Sequence, residues 1–286
     1  MATTVTALTP AVGAIIENID LRTLDENDFK TVAAAFDHYH GLVFRDQHLS
    51  DDDLVAFSAR FGPLDHAPVM ENGRTAVEGR PEIYLVSNIK DASSAAIGSL
   101  GSGEAVWHTD MCYAANPPFA SALYAVEIPP AGGETSLCSM AAAYRALPEA
   151  LRARLAGLRI KHDGTYNSGG YLRQGVSEAD NPRDAVGTYH PIVLAHPASG
   201  TPMLYLSRRR NAYIEGLDLD QSEAVLDEIW HYACLPENSY THAWRVGDLL
   251  MWDNRATMHR RAPFDAAARR LMKRTQIQSP AAPRAA

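Results

Sequence analysis

The chain has 286 residues, 46% of them apolar, with 26 Lys and Arg against 34 Asp and Glu for a formal charge of −8. Ordinary hydrophobicity excludes a disordered, solvating chain and suits one large or two small globular domains. The acidic balance argues against a nucleic-acid duplex or an anionic membrane as the main partner, so any bound anion must meet a local basic site.

Residues Met1 to Pro10 lack a basic segment followed by an apolar run, and no later apolar stretch approaches the roughly 18 residues of a spanning helix. The expected address is cytoplasmic, with no membrane and no nucleic acid among the partners. Phe29, Val32, Ala33 and Phe36 fall at helical spacing, and Gly41 then leads into a strand from Leu42 to Phe44. Ser50 followed by Asp53 reads as the cap of a second helix, with Leu54, Phe57 and Phe61 on one face and Gly62 as its stop.

Short β-like runs follow, separated by turn residues. They cover Ile83 to Ser87, Ser121 to Ile128, Glu134 to Ser139, Tyr189 to Ala195, Met203 to Ser207, Tyr240 to Val246, Leu249 to Trp252 and Leu271 to Ile277. Gly247-Asp248 reads as a hairpin turn. Two further helices are expected, Met140 to Leu158 with Pro148 as a kink or restart, and Asp220 to Cys234 capped by Asp220 and Glu223. This alternation predicts a mainly β fold with flanking helices, in one domain over residues 1–286, since neither repeat nor linker divides the chain. Residues 91–104 and 162–187 read either as lids over a site or as ordinary surface loops, and 279–286 as a disordered tail. Cys112, Cys138 and Cys234, an odd set without CxxC spacing, read as plain thiols.

His108 and Asp110 are two apart in Trp107-His108-Thr109-Asp110, a spacing that points both to one side of an extended backbone. Such a pair arises easily by chance. His259, just after a strongly apolar strand, adds a third ligand type: two histidines and a carboxylate leave three open positions, the facial arrangement of non-haem Fe(II) oxygenases. A bidentate 2-oxo acid fills two of these and dioxygen the third, whereas zinc favours closure by four ligands. The far carboxylate of such a cosubstrate needs a fork-shaped cation inside the protein. Arg270 and Arg274 share one face of the last strand with Met272. On composition alone they read equally as a solvated stripe, because Arg260, Arg261, Arg269 and Lys273 lie nearby.

Taken together, Arg60-Phe61-Gly62-Pro63-Leu64, Trp107-His108-Thr109-Asp110, Pro117-Pro118, Gly132-Gly133-Glu134-Thr135 and Trp252-Asp253-Asn254-Arg255, with His259, Arg270 and Arg274 downstream, resemble the TauD/TfdA family of Fe(II)- and 2-oxoglutarate-dependent dioxygenases from about Pro10 to Ile277. The resemblance implies a jelly-roll, cupin-like double-stranded β-helix. It implies further that His108, Asp110 and His259 hold Fe(II), that Thr135 and Arg270 bind the distal carboxylate of 2-oxoglutarate, and that Arg274 lies between this cosubstrate and an anionic group of the substrate. Halogenating relatives lack the carboxylate ligand, so Asp110 favours oxygen transfer from O2.

Departures bear on the substrate. Where taurine-type enzymes line the sulfonate and amine pocket with a His and a Tyr, this chain has Ala67 and Met70, with His66 adjacent, and Glu104 stands where they carry Asn. Glu104 reads either as a contact for an amine or hydroxyl or as a solvated loop residue. Tyr113, Asn167, Tyr171 and Arg173 are further pocket or lid candidates. Trp107 and Trp252 read as core packing, and His190 and His196 as structural.

The function implied is hydroxylation of a C–H bond in a small anionic substrate of the sulfonate, alkyl sulfate or phenoxyalkanoate type. Succinate and CO2 would form, and cleavage would follow where the hydroxylated carbon bears a heteroatom. Two alternatives stand beside it: a tailoring hydroxylase or desaturase of an amino acid or peptide-like metabolite, with Glu104 and Arg274 reading its two charges, and a non-catalytic jelly-roll binding protein, which would not need to keep an open metal face. A homo-oligomer is a further expectation from the resemblance.

Overall fold

A computed structural model of the chain describes residues 2–67, 77–207 and 210–286. Local caps set the helices. Asp25 accepts hydrogen bonds from the Asn27 and Asp28 N–H groups at the head of Glu26–Tyr39, and the expected Ser50/Asp53 capping box opens Asp51–Ala59. Pro148 restarts the chain rather than kinking it, so that Met140–Ala146 ends before Glu149–Leu155 begins. The helix expected from Asp220 begins earlier, at Leu219–Ala233. Asp218, not Asp220, takes the Gln221 N–H, and Gln221 rather than Glu223 reaches back to complete the box.

Two sheets face each other. The larger runs in the order Thr4–Ala7, Ala14–Glu17, Gly41–Phe44, Leu249–Asp253, Ala120–Glu127, Leu271–Ile277, Tyr84–Ser87, Ser99–Leu100, and the smaller Ser239–His242, Thr135–Ser139, Thr257–Arg261, Ala105–His108. Side chains alternate between the faces. Leu42, Phe44, Leu249, Met251 and Ala122 turn outward beneath the first two helices. Val43, Leu250, Trp252 and Leu123 turn inward, where Leu137 of the smaller sheet meets them. The outer face of the smaller sheet, with Cys138 and Met258, packs on the later helices. This is the double-stranded β-helix jelly roll that the resemblance implied, with the helices outside as the short strands suggested.

Three expectations change. Gly247-Asp248 is no hairpin: Ser239–His242 pairs with Thr135–Ser139 in the smaller sheet, whereas Leu249–Asp253 pairs in the larger. The turn carries the chain between sheets because buried Asp248 is held there by Arg45 and by His242, whose Nε2 lies 3.0 Å from Asp248 Oδ2. The run from Tyr189 to Ala195 divides into Gly187–Pro191 and Val193–Ala195, each in its own small sheet. The Pro/Ala-rich end is ordered against a strand edge: Ala195 N–H donates to the Arg284 carbonyl and Ala286 N–H to that of Val193, each at 3.3 Å. An edge strand offers unpaired backbone groups to any segment that reaches it. Among the described residues no helix is long and apolar enough to cross a membrane.

Candidate metal centre and substrate cavity

The Ala105–His108 and Thr257–Arg261 strands pair so that His108 stands directly opposite His259, with ring centroids 4.1 Å apart. Asp110, in the turn after His108, brings Oδ1 to 3.6 Å from His108 Nε2 and Oδ2 to 3.9 Å from His259 Nε2. All three are buried, and one ligand atom from each lies within 4.8 Å of the others. The His108 Nδ1–H donates to the Val106 carbonyl at 2.7 Å, which leaves its Nε2 lone pair for a metal. The His259 Nδ1 is buried without a partner, and Trp252 packs on its ring at 4.6 Å.

Protonation is set for coordination. Burial holds the His259 imidazole well below its usual range and hence neutral. Burial alone would raise the Asp110 carboxyl, but the Arg274 guanidinium beside it outweighs burial and holds it well below the carboxylate range. Neutral imidazoles and an ionised carboxylate are the forms a divalent metal needs. The surroundings fix the carboxylate's direction. The Ser121 hydroxyl donates to Oδ2 at 3.1 Å, and the Asp110 N–H donates to Asn254 Oδ1 at 2.9 Å, while Asn254 Nδ2 donates back to the Asp110 carbonyl at 2.9 Å. Asn254 and Ser121 were not assigned roles from sequence, although Asn254 lies inside the Trp252-Asp253-Asn254-Arg255 motif that could have flagged it.

Beside this trio runs a narrow cavity of about 40 Å³ that ends at Thr135, Arg261 and Arg270. Arg270 is 1% exposed, and its Nε and one terminal nitrogen have no hydrogen-bond partner. Burial and neighbouring Arg261 bring its guanidinium down to about 9, and burial lowers that of Arg261 to about 10. Two buried cations with open N–H groups fit a carboxylate guest, since unmade hydrogen bonds of this kind are costly. Thr135 Oγ1 accepts from Trp244 Nε1 at 3.1 Å, which turns its own hydroxyl hydrogen elsewhere. The two glycines before it are required: Gly132 and Gly133 sit at φ +79° and +74°, and a Cβ on Gly133 would press within 3.4 Å of Arg270 Nε. Arg261 and Trp244 escaped the sequence reading, Arg261 because it belonged to the surface-stripe interpretation.

A wider cavity of about 400 Å³ also borders the trio, at His108 and Asp110. Arg274 lines both spaces; one terminal nitrogen donates to Asp110 Oδ1 and Oδ2 at 3.2 and 3.1 Å, while its Nε is buried and unpartnered. Tyr113, Asn167 and Arg173 also line this cavity, as the sequence suggested. Tyr171 is exposed, and Glu104, exposed just before the Ala105–His108 strand, opens instead onto a neighbouring cavity with Trp107, Tyr166 and Trp230. Met70 lies outside the described residues.

A second trio of the same types, His40, His196 and Asp253, also gathers ligand atoms within 4.8 Å. It differs in its carboxylate. Arg255 donates to Asp253 Oδ1 and Oδ2 at 3.1 and 2.7 Å, backbone N–H of Arg255 adds a bond to Oδ1 at 2.8 Å, and His196 Nε2 approaches Oδ2 at 3.1 Å. His196 is therefore structural, and Asp253 has no lone pair to spare. His190 likewise holds fold, its Nε2 at 2.9 Å from the Ala114 carbonyl.

Comparison with known proteins places the chain among relatives along nearly its whole length. Residues 4–276 match the family model for "Taurine catabolism dioxygenase TauD, TfdA family". The chain is 33% identical, over 96% of its length and 97% of the relative, to the alpha-ketoglutarate-dependent 2,4-dichlorophenoxyacetate dioxygenase of Cupriavidus pinatubonensis. It is 32% identical to pentalenolactone F synthase of Streptomyces avermitilis, over 96% and 94% of the two chains. Among solved structures, AAD-2 in complex with Mn(II) and N-oxalylglycine superposes with a TM-score of 0.78 at 27% identity, covering 99% of each chain.

Proposed function

The chain belongs to the TauD/TfdA family of Fe(II)- and 2-oxoglutarate-dependent dioxygenases, and from that premise we propose that it oxidises a C–H bond of a small anionic organic substrate, with phenoxyalkanoates, alkyl sulfates and sulfonates as the first classes to try. The observation that supports this most is the placement of the His108, Asp110 and His259 ligand atoms between an arginine-closed niche and a 400 Å³ cavity.

In this reading His108 Nε2, His259 Nε2 and an Asp110 oxygen hold the ion, a donor set suited to Fe(II) with positions left open. Arg270 and Thr135 take the distal carboxylate of 2-oxoglutarate, and Arg274, beside Asp110 and between the two cavities, meets the anionic group of the substrate. Bound iron, 2-oxoglutarate and O2 supply the oxidation, with succinate and CO2 as coproducts. The protein's own contribution is position and dryness. Val86, Leu100, Leu123 and Trp252 wall the niche against water, and Ser121 and Asn254 keep the Asp110 carboxylate aimed. We take residues 1–286 as one domain, since the proposed ligands His108 and His259 come from paired strands of one sheet.

A tailoring role remains the second reading, favoured by the likeness to pentalenolactone F synthase. Its amino-acid form loses its amine reader, because Glu104 does not line the cavity with Arg274. The test is succinate release from 2-oxoglutarate over a panel of phenoxyalkanoates, alkyl sulfates, sulfonates, amino acids and the neutral amides of the phenoxyalkanoates. Stimulation by one of the first three classes, abolished in Arg274→Met, is the expected result. Stimulation by neutral substrates alone contradicts the proposal.

A further inference from the structure

The 400 Å³ cavity has a second guanidinium at a distance from the metal trio. Arg173 enters from the 162–187 segment and is fixed there from both ends, its backbone N–H donating to the Thr165 carbonyl at 2.9 Å and its guanidinium lying 4.4 Å over the Tyr113 ring. Stacking on Tyr113 occupies one flat face of the group. The edge is a different matter: Nε is buried with no hydrogen-bond partner, and among the described residues no carboxylate forms an ion pair with Arg173. A ring can satisfy a guanidinium face, but only an acceptor oxygen satisfies its N–H edge.

The lining carries no answering charge. Its one acidic residue among those described is Asp110, which is already engaged by Arg274 and is the proposed metal ligand. Besides the two arginines, the described lining includes neutral polar groups such as Asn167 and Gln276 and apolar ones such as Leu172 and Val186. Such a space suits a short organic body with an anionic group at each end.

We propose that Arg173 is a specificity-determining residue and that the preferred substrate is a small dianion, one end read by Arg274 beside the metal trio and the other by Arg173. The inference rests on the proposed function above and narrows its substrate class. A monoanionic aryl ether or alkyl sulfate would satisfy Arg274 and leave the Arg173 edge without an acceptor.

The test is equilibrium calorimetry under anaerobic conditions on the full chain loaded with Mn(II) and 2-oxoglutarate, using three probes of one shape: phenoxyacetate, 4-carboxyphenoxyacetate and its neutral 4-carboxamide. The wild type is expected to bind the dicarboxylate on the order of tenfold or more tighter than the other two. In Arg173→Met the ratio of dicarboxylate to phenoxyacetate affinity falls to near one, and Arg173→Lys restores part of it. Because both affinities are measured on one preparation, a general loss of fold or metal would not move their ratio. Phenoxyacetate binding with no dicarboxylate preference, or a preference that survives in Arg173→Met, overturns the role of Arg173 while leaving the proposed function standing. Failure of every probe to bind protein that has taken up 2-oxoglutarate overturns the dianion reading and removes phenoxyalkanoates from the proposed function, leaving its alkyl sulfate and sulfonate classes to the succinate assay.

Discussion

Among the described residues two trios of His, His and Asp gather their ligand atoms within 4.8 Å, and we propose only one of them as a metal centre. The difference lies in what else the carboxylate meets. Asp253 receives a two-pronged Arg255 and a backbone N–H, so both oxygens are spent on holding the turn after the Leu249–Asp253 strand. Asp110 faces a cavity, with Arg274 on its flank and two imidazole nitrogens turned toward it. Residue type and proximity therefore do not make a site; unspent lone pairs beside an open space do.

That contrast can be broken most directly at the ligands. His259→Ala is expected to lower divalent-metal affinity by more than about 100-fold, beyond the 10–100-fold scale seen when only a supporting partner is lost. His196→Ala should leave one metal per chain but cost about 3–5 kcal/mol of stability, because it strips a partner from a buried charge cluster. Metal titration and denaturant unfolding separate the two, and two metals per wild-type chain would end the distinction. The next largest effect belongs to Arg270. Arg270→Met should weaken 2-oxoglutarate binding by roughly 10–100-fold yet raise the unfolding temperature of the ligand-free protein, since it removes buried N–H groups that lack partners. Normal 2-oxoglutarate binding with lowered stability would assign Arg270 to the fold instead.

The second trio also predicts a pH effect. Burial depresses the His40 imidazole from 6.5 to about 4, against the pull of Asp253. As pH falls through this window the unfolded chain takes up the proton first, so the stability tied to neutral His40 is full above 6.5 and lost on the way down to 4. Its size is at most about 3 kcal/mol. His40→Asn, which tolerates the left-handed φ of +57° at this helix end, should flatten that slope in urea midpoints taken from pH 7 to pH 4. An unchanged slope would place the titration elsewhere. The smallest expected change is Trp244→Phe, which removes the donor to Thr135 and should shift 2-oxoglutarate affinity by about fivefold in titrations, with no effect on metal stoichiometry.

The sequence made the helices and the apolar strands legible because caps and alternating side chains are local signals. The Ser50/Asp53 box and the runs inside Leu249–Asp253 and Leu271–Ile277 appear where they were expected. It hid the Ala105–His108 and Thr257–Arg261 strands for a physical reason: their inward positions carry His108, His259 and Arg261 in place of the apolar residues that betray a strand. Motif order brought Thr135, Arg270 and Arg274 to the cavity walls, while Asn254, Ser121 and Trp244 stayed unassigned because they act through bonds between distant segments. Glu104 shows the limit of position alone, since it lies before the Ala105–His108 strand and lines another cavity.

We propose that His108, Asp110 and His259 together hold the iron to which 2-oxoglutarate binds. Anaerobic addition of Fe(II) and 2-oxoglutarate, following the visible charge-transfer absorption of the chelate in the wild type, His259→Ala and His196→Ala, tests it most directly. The absorption should form in the wild type and in His196→Ala and be absent in His259→Ala; its survival in His259→Ala, or its loss in His196→Ala alone, would contradict the claim.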